Sequence, residues 1–370
     1  MKYLYLSFKH KHKFRNPNID FIRIIGMLAI IVHHLLLHGR IFKKYNKYKQ
    51  LNLLNIICNW HVSSFAIISG LLGHKSFKYS NLLFLWIQTL FYSITFSFIF
   101  NKFIICRAYN YYIVDIFPVI YKRYWYVTAY FGIYPFLPFI NSGLLAFTQI
   151  EIKKIIYFMI VIFIIWSSVF IDSFSQHNGK SPFSILIFYI IGAYIGKYCL
   201  NIKIKAIHRI LIYILCFFLF VIVSIICYYI HTRQNLNIFS VKLKKLLRIS
   251  INSFPMLNQI FAIVIFVSQI NFNQYIIKII SFIAPLTFDV YLIHDNPYIR
   301  NNYIRKLFNK ESKDLNLSIL IFLIIKKAFI IFLICICIAY IRSKIFSIFK
   351  IKLLCCYIEL LIIKIIYYLI

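Results

Sequence analysis

The chain has 370 residues, of which 62% are hydrophobic and 19% aromatic, with a mean hydropathy of +0.80. So apolar a composition excludes an ordinary soluble globular domain. The formal charge of +33, from 42 Lys and Arg against 9 Asp and Glu, would suit nucleic acid only if the cations shared one polar face. They sit instead in short loops between apolar runs, as contacts with anionic lipid headgroups do, and no nucleic-acid partner is expected.

A basic lead over residues 1–19, with Lys2, Lys9, Lys11, Lys13 and Arg15, precedes the first apolar run. Runs of membrane-spanning length follow near 20–38, 51–72, 80–100, 124–140, 154–172, 182–197, 207–231, 255–270, 277–295 and 317–341, since a spanning helix needs about 20 mostly apolar residues. The expected fold is therefore all-α: a polytopic integral membrane helix bundle of about ten transmembrane helices, with membrane lipid as its surroundings. The membrane domain is placed at 20–341. Residues 342–370, with Lys350, Lys352 and Lys364 among apolar residues, form a basic tail that is either an interfacial helix or a further span.

The basic lead places the N-terminus in the cytoplasm, although Arg40 to Lys49 and Lys242 to Arg248 are also basic. No cleavable leader is expected, because the first apolar run is long and lies behind that lead. The nine cysteines show no metal-ligand spacing. Most sit in apolar runs as small buried hydrophobes, and no metal is expected.

Ionisable residues inside a bilayer are expensive and are the first functional candidates. Arg23 and His34 lie eleven positions apart, almost a whole number of turns, so both project from one helix face roughly 16 Å apart along the axis. Asp20, three residues before Arg23, is placed to pair with it. That pair either anchors the helix at the interface or belongs to a site in which the guanidinium fork holds phosphate or carboxylate. A neutral imidazole at His34 is a competent general base. His33 points about 100° away, and His38, one turn on, can lie at the rim of the same face.

In the second run Ser63, Ala66, Gly70 and Gly73 form a small-residue stripe suited to close helix packing. Ser69 has no nucleophile elbow and no acidic partner nearby, so packing outweighs a nucleophilic role. Trp125 and Tyr130, in Tyr121-Lys-Arg-Tyr-Trp-Tyr-Val-Thr-Ala-Tyr130, either belong to the aromatic belt or line a glycan or nucleotide pocket. Finally, Pro285 to Pro297 holds Asp289, Tyr291, His294 and Asp295. Asp289 is the one acid there that reads as intramembrane, and Arg23 or a histidine from another helix would make its burial tolerable.

Four of these elements, in order, resemble the acyltransferase family 3 membrane proteins: Arg23-x10-His34, Phe65-Ala-Ile-Ile-Ser69-Gly70, Tyr124-Trp125…Tyr130, and Phe288-Asp-Val-Tyr291-Leu-Ile-His294. The likeness covers essentially the whole chain and is strongest to the branch found beside bacterial exopolysaccharide and capsule genes. It implies a bundle of about ten helices in the bacterial cytoplasmic membrane. Such a bundle passes an acyl group from a cytoplasmic donor, usually acetyl-CoA, to a hydroxyl of a glycan or lipid-linked glycan. Acetyl-CoA would be a substrate, with no resident cofactor. The resemblance makes Arg23 and His34 the essential pair and Ser69 and Gly70 structural. Where relatives carry arginines after the second span, this chain has Lys75 and Lys78, which lack the guanidinium fork. No fused hydrolase-like domain is expected.

The resulting expectation is an O-acyltransferase, most specifically an O-acetyltransferase of a cell-surface polysaccharide. His34 and Arg23 carry the reaction; Asp20, Ser69, Trp125, Tyr130, Asp289 and His294 are candidates for binding substrate or donor. The rival reading is a transporter or flippase of a lipid-linked sugar, with the same polar groups lining a conduction path. Broken helices repeated in paired halves would favour it, and no such symmetry is visible.

Overall fold

The computed structural model describes residues 16–48, 50–73, 77–102, 112–166, 174, 179–199, 204–232, 254–268 and 270–369. Among them every regular element is helical. Labelled here are α1 Pro17–His38, α2 Gln50–Cys58, α3 His61–Gly73, α4 Tyr79–Phe100, α5 Trp125–Ile133, α6 Leu137–Ala146, α7 Gln149–Met159 and α8 Pro182–Tyr194. They continue with α9 Ala206–Thr232, α10 Phe254–Val267, α11 Gln274–Ile283, α12 Thr287–His294, α13 Pro297–Asn302, α14 Leu317–Ile348 and α15 Ile351–Leu369.

Local chemistry fixes the ends of α1. The Asn16 side chain accepts the Asn18 backbone N–H at 3.0 Å, Pro17 occupies the first turn, and Asp20 places negative charge at the positive end of the helix dipole. Gly39 closes the helix, its N–H donating to Leu35 O at 2.9 Å. Ser181 and Pro182 open α8 in the same way, and Thr148 and Glu151 form a capping box on α7.

Six helical stretches among the described residues are long and apolar enough to cross a membrane: 17–38, 50–73, 79–100, 182–199, 274–294 and 317–348. The chain is thus a multi-pass membrane protein, helical throughout its described regular elements. The count of ten expected from apolar runs is not reached among these residues. The run at 124–140 is broken at Tyr134–Phe136, a 3-10 turn between α5 and α6 that carries Pro135, and Pro138 follows in the first turn of α6. Proline removes a helix donor and clashes with the preceding turn. The run at 154–172 starts earlier, at Gln149, and passes into a π-helix over Ile160–Trp166. α14 continues to Ile348, past the boundary placed at 341. The basic lead up to residue 15, Lys75 and the 242–248 loop lie outside the described residues.

α1 is the hub, packing against α2, α3, α10, α11, α12 and α14. Its Ile31, Leu35 and Leu36 are wholly buried. The small-residue stripe of α3 meets α8 so closely that a Cβ on Gly70 would lie 1.9 Å from Tyr189 O, and one on Gly192 would lie 2.0 Å from Ile67 O. Each glycine therefore seats the other helix's backbone, as small residues do between membrane helices. The tail helix α15 lies along α4, where the Glu359 carboxylate accepts the backbone N–H groups of Tyr79 at 2.7 Å and Ser80 at 3.1 Å. These are N–H groups that the first turn of α4 leaves unpaired.

Candidate functional site

The C-terminal half of α1, the start of α3, the start of α5 and the α12–α13 junction enclose a cavity of about 190 Å³. Met27, Ile30, Val62, Phe65, Phe288 and Tyr291 give it apolar walls, and His33, His34, His38 and His61 supply four imidazoles. Asp295, Arg300, Lys180, Asn59, Trp125 and Tyr126 complete the polar and aromatic lining. Convergent polar groups in a largely apolar concavity are the usual form of a small-molecule site.

His34 is held from behind. Its Nδ1 lies 3.0 Å from Nε2 of His294, and the other His294 nitrogen, Nδ1, lies 2.6 Å from Val290 O. A carbonyl only accepts, so Nδ1 of His294 carries the proton and its Nε2 offers a lone pair. That lone pair accepts N–H from Nδ1 of His34, which leaves Nε2 of His34 as the proton-accepting nitrogen. The tautomer of one imidazole thus fixes that of the next, and the chain of bonds starts from a backbone carbonyl in α12. His294 is fully buried and does not line the cavity; His34 does. Asp295 stands further from His34, at 3.7 Å, and is paired with Arg300 at 3.3 Å.

The other histidines are oriented in the same sense. Nδ1 of His33 lies 2.8 Å from Asn55 Oδ1; read as N–H donation to the carbonyl oxygen, this leaves Nε2 unprotonated. Nδ1 of His61 donates to Cys58 O. The rings of His33 and His61 are 5.4 Å apart, and that of His38 is 5.3 Å from His34. His38, one turn beyond His34, also lines the cavity. His33, expected to point away from the site, lines the same cavity, because the cavity is wide enough to reach two neighbouring positions of α1.

The remaining candidates divide. Trp125 lines the cavity, and Lys180 Nζ sits 5.7 Å from its ring centroid. Arg23 pairs with Asp20 at 2.8 Å, and neither lines the cavity; the Arg23 side chain retains 22% exposure. Ser69 donates its hydroxyl to Phe65 O at 2.8 Å, one turn back, and is not in the cavity lining. Tyr130 stacks on Tyr126 at 6.4 Å and is likewise outside the lining. Asp289 is fully buried in a separate cluster. It is paired with Arg342 of α14 and accepts the Gln88 amide N–H at 2.6 Å. The expected partners, Arg23 or a histidine, are thus replaced by an arginine 53 positions away in sequence, since a buried carboxylate takes whichever cation the packing brings to it.

His61, Asn59, Tyr126, Lys180 and Arg300 enter the site without having been singled out from sequence. His61 alone carried a usable signal, an imidazole inside an apolar run. His34, His38 and Asp295 place ligand atoms within 4.8 Å of one another and could reach a single cation. Nδ1 of His34 bonds His294 and one oxygen of Asp295 pairs with Arg300, so a cation there would be held through the other ring nitrogen of His34 or would compete with these partners.

No curated protein and no solved structure matches the chain. A family model described as an acyltransferase domain matches residues 16–362, nearly the whole length and every element of the cavity. The chain is a multi-pass membrane member of the acyltransferase family 3.

Proposed function

We propose that this membrane acyltransferase is an O-acetyltransferase that moves an acetyl group from acetyl-CoA to a hydroxyl of a cell-surface polysaccharide or its lipid-linked precursor, in the bacterial cytoplasmic membrane. The observation that carries the reading is the Val290–His294–His34 arrangement, which presents one unprotonated imidazole nitrogen to a mostly apolar cavity.

Nε2 of His34 takes the proton of the acceptor hydroxyl as its oxygen attacks the thioester carbonyl. The tetrahedral adduct collapses with loss of the CoA thiolate, and the same nitrogen returns the proton to the leaving sulfur. One C–S bond breaks, one C–O bond forms, and no net proton is released. A transient acyl group on His34 is the variant in which the imidazole itself attacks. The aromatic walls at Trp125 and Tyr126 suit a sugar ring. Arg23, about three turns from His34 on the same helix, and Asp20, about four turns away, lie outside the cavity lining, where Arg23 fixes the geometry of α1 or holds the donor.

The test uses purified protein in sealed vesicles, given acetyl-CoA on the side where the N-terminus emerges and a glycan acceptor. Free CoA thiol and acetylated glycan should appear together, and His34→Ala should abolish both without loss of inserted protein. Undiminished acetyl transfer by His34→Ala overturns the assignment. Translocation of a lipid-linked sugar without thiol release overturns the reaction.

A further inference from the structure

Two cations stand at the mouth of the His34 cavity, and the reaction scheme gives neither a task. Lys180 lies immediately before the α8 N-cap, is solvent-exposed, and is held against the Trp125 face at 5.7 Å. Arg300, on α13, is oriented by the buried carboxylate of Asp295 at 3.3 Å. A guanidinium has five N–H donors in a planar fork, so one oxygen of Asp295 leaves most of that fork for another acceptor. Each cation therefore has an anchor that sets its direction while leaving it able to bind.

The local charge also points outward. Among the cavity-lining residues the permanent charges are Lys180, Arg300 and Asp295, a surplus of one positive charge. The four imidazoles can add positive charge but never remove it. Arg23, the cation first suggested by sequence for this work, is tied to Asp20 and is not in the lining. An anionic group on a substrate seated at the mouth would balance this surplus next to the reacting centre.

We propose that Lys180 and Arg300 form an anion subsite at the cavity mouth, taking a phosphate or carboxylate group carried by one of the two substrates of acyl transfer. The subsite rests on the acyltransferase reading above. The group can come from the donor, whose CoA moiety carries phosphates, or from an anionic acceptor such as a sugar phosphate or uronic acid.

The experiment uses the full-length protein in proteoliposomes and its Lys180→Gln, Arg300→Gln and doubly substituted forms. In one arm acetyl-CoA is compared with S-acetylpantetheine, which has the same thioester and no phosphate. In the other, a methyl glucuronide acceptor is compared with the neutral methyl glucoside. In one arm the wild-type preference for the anionic partner, as a ratio of kcat/KM values, should fall at least tenfold in the double variant, through KM; the arm that responds names the source. Ratios within twofold of wild type in both arms overturn the proposal. Inorganic pyrophosphate binding is measured by calorimetry alongside. Binding by wild type and its loss in the double variant support the subsite, and equal binding by both overturns it. If wild type releases no CoA thiol with any pair, the acyl-transfer reading falls, and the pyrophosphate result alone decides the subsite.

Discussion

Replacing His294 tests whether the tautomer of His34 is set from behind. His294→Phe keeps a ring of similar size in a fully buried position but removes the nitrogen that lies 3.0 Å from His34 Nδ1. A hydrogen bond of this kind contributes a net ~0.5–1.5 kcal/mol, which biases the His34 tautomers by about twofold to tenfold. Loss of ring orientation adds more, because a misplacement of about 1 Å can cost on the order of 10²-fold in rate. His294→Phe should therefore lower kcat between about ten- and a thousandfold with little change in KM. His294→Gln, whose amide oxygen can accept from His34, should recover most of that loss. The assay is single-turnover release of CoA thiol, normalised to folded protein in the membrane. A His294→Phe enzyme within twofold of wild type would refute the relay, and so would His294→Gln as slow as His294→Phe.

Arg23→Lys should lose most acetyl transfer if the guanidinium fork holds the donor, whereas an interfacial anchor would survive because lysine snorkels equally well; surface acetylation in the Lys and Gln variants separates the two. Gly70→Ala places a methyl 1.9 Å from Tyr189 O and should destabilise the α3–α8 contact by about 1–3 kcal/mol, read as a lower temperature of thermal inactivation. Asp289→Asn should be destabilising by roughly 3–5 kcal/mol, because it leaves Arg342 buried without its counter-charge. The double change Asp289→Leu, Arg342→Met should restore most of the folded yield and retain activity per folded molecule; an inactive but well-folded double variant would place the pair in the reaction after all.

The span cores and several helix ends were legible because they depend on near neighbours in sequence. Asn16-Pro17 and Gly39 bracket α1, and Ser181-Pro182 opens α8. The stripe through Ser63, Ala66, Gly70 and Gly73 announced a close helix partner, and Gly192 turned out to be its counterpart. Interruptions inside apolar runs were less visible. Asn59 and Trp60 separate α2 from α3, and the Ala284–Leu286 turn with Pro285 separates α11 from α12. A hydropathy window averages over such breaks, which is why it merges two helices into one span or counts a broken run as a crossing.

The sequence singled out His34, Trp125 and His294 one at a time, on three different helices, but not that the fold gathers them. The shared face pointed to His34, which lines the cavity, but Arg23 on that face is in another environment, three turns away, because a cavity about 190 Å³ in size does not follow a helix for 16 Å. The partners of His34 come from far along the chain: His294 is 260 positions away. Nothing local marks Lys180 or Arg300 among the 42 basic residues. The choice of orienting group has its own physical logic. A carboxylate behind His34 would need a counter-ion inside the bundle, since an unpaired buried charge is strongly destabilising. Asp295 meets that need with Arg300 and stays at 3.7 Å, while the closer contact at 3.0 Å is an imidazole, which can be neutral and still fix a tautomer. In a chain with only 9 acids, a base oriented by a second histidine and a backbone carbonyl needs no acid of its own. The sequence sign of such a site is therefore histidine inside apolar runs, as at His33, His34, His61 and His294, rather than a histidine paired in sequence with an acid.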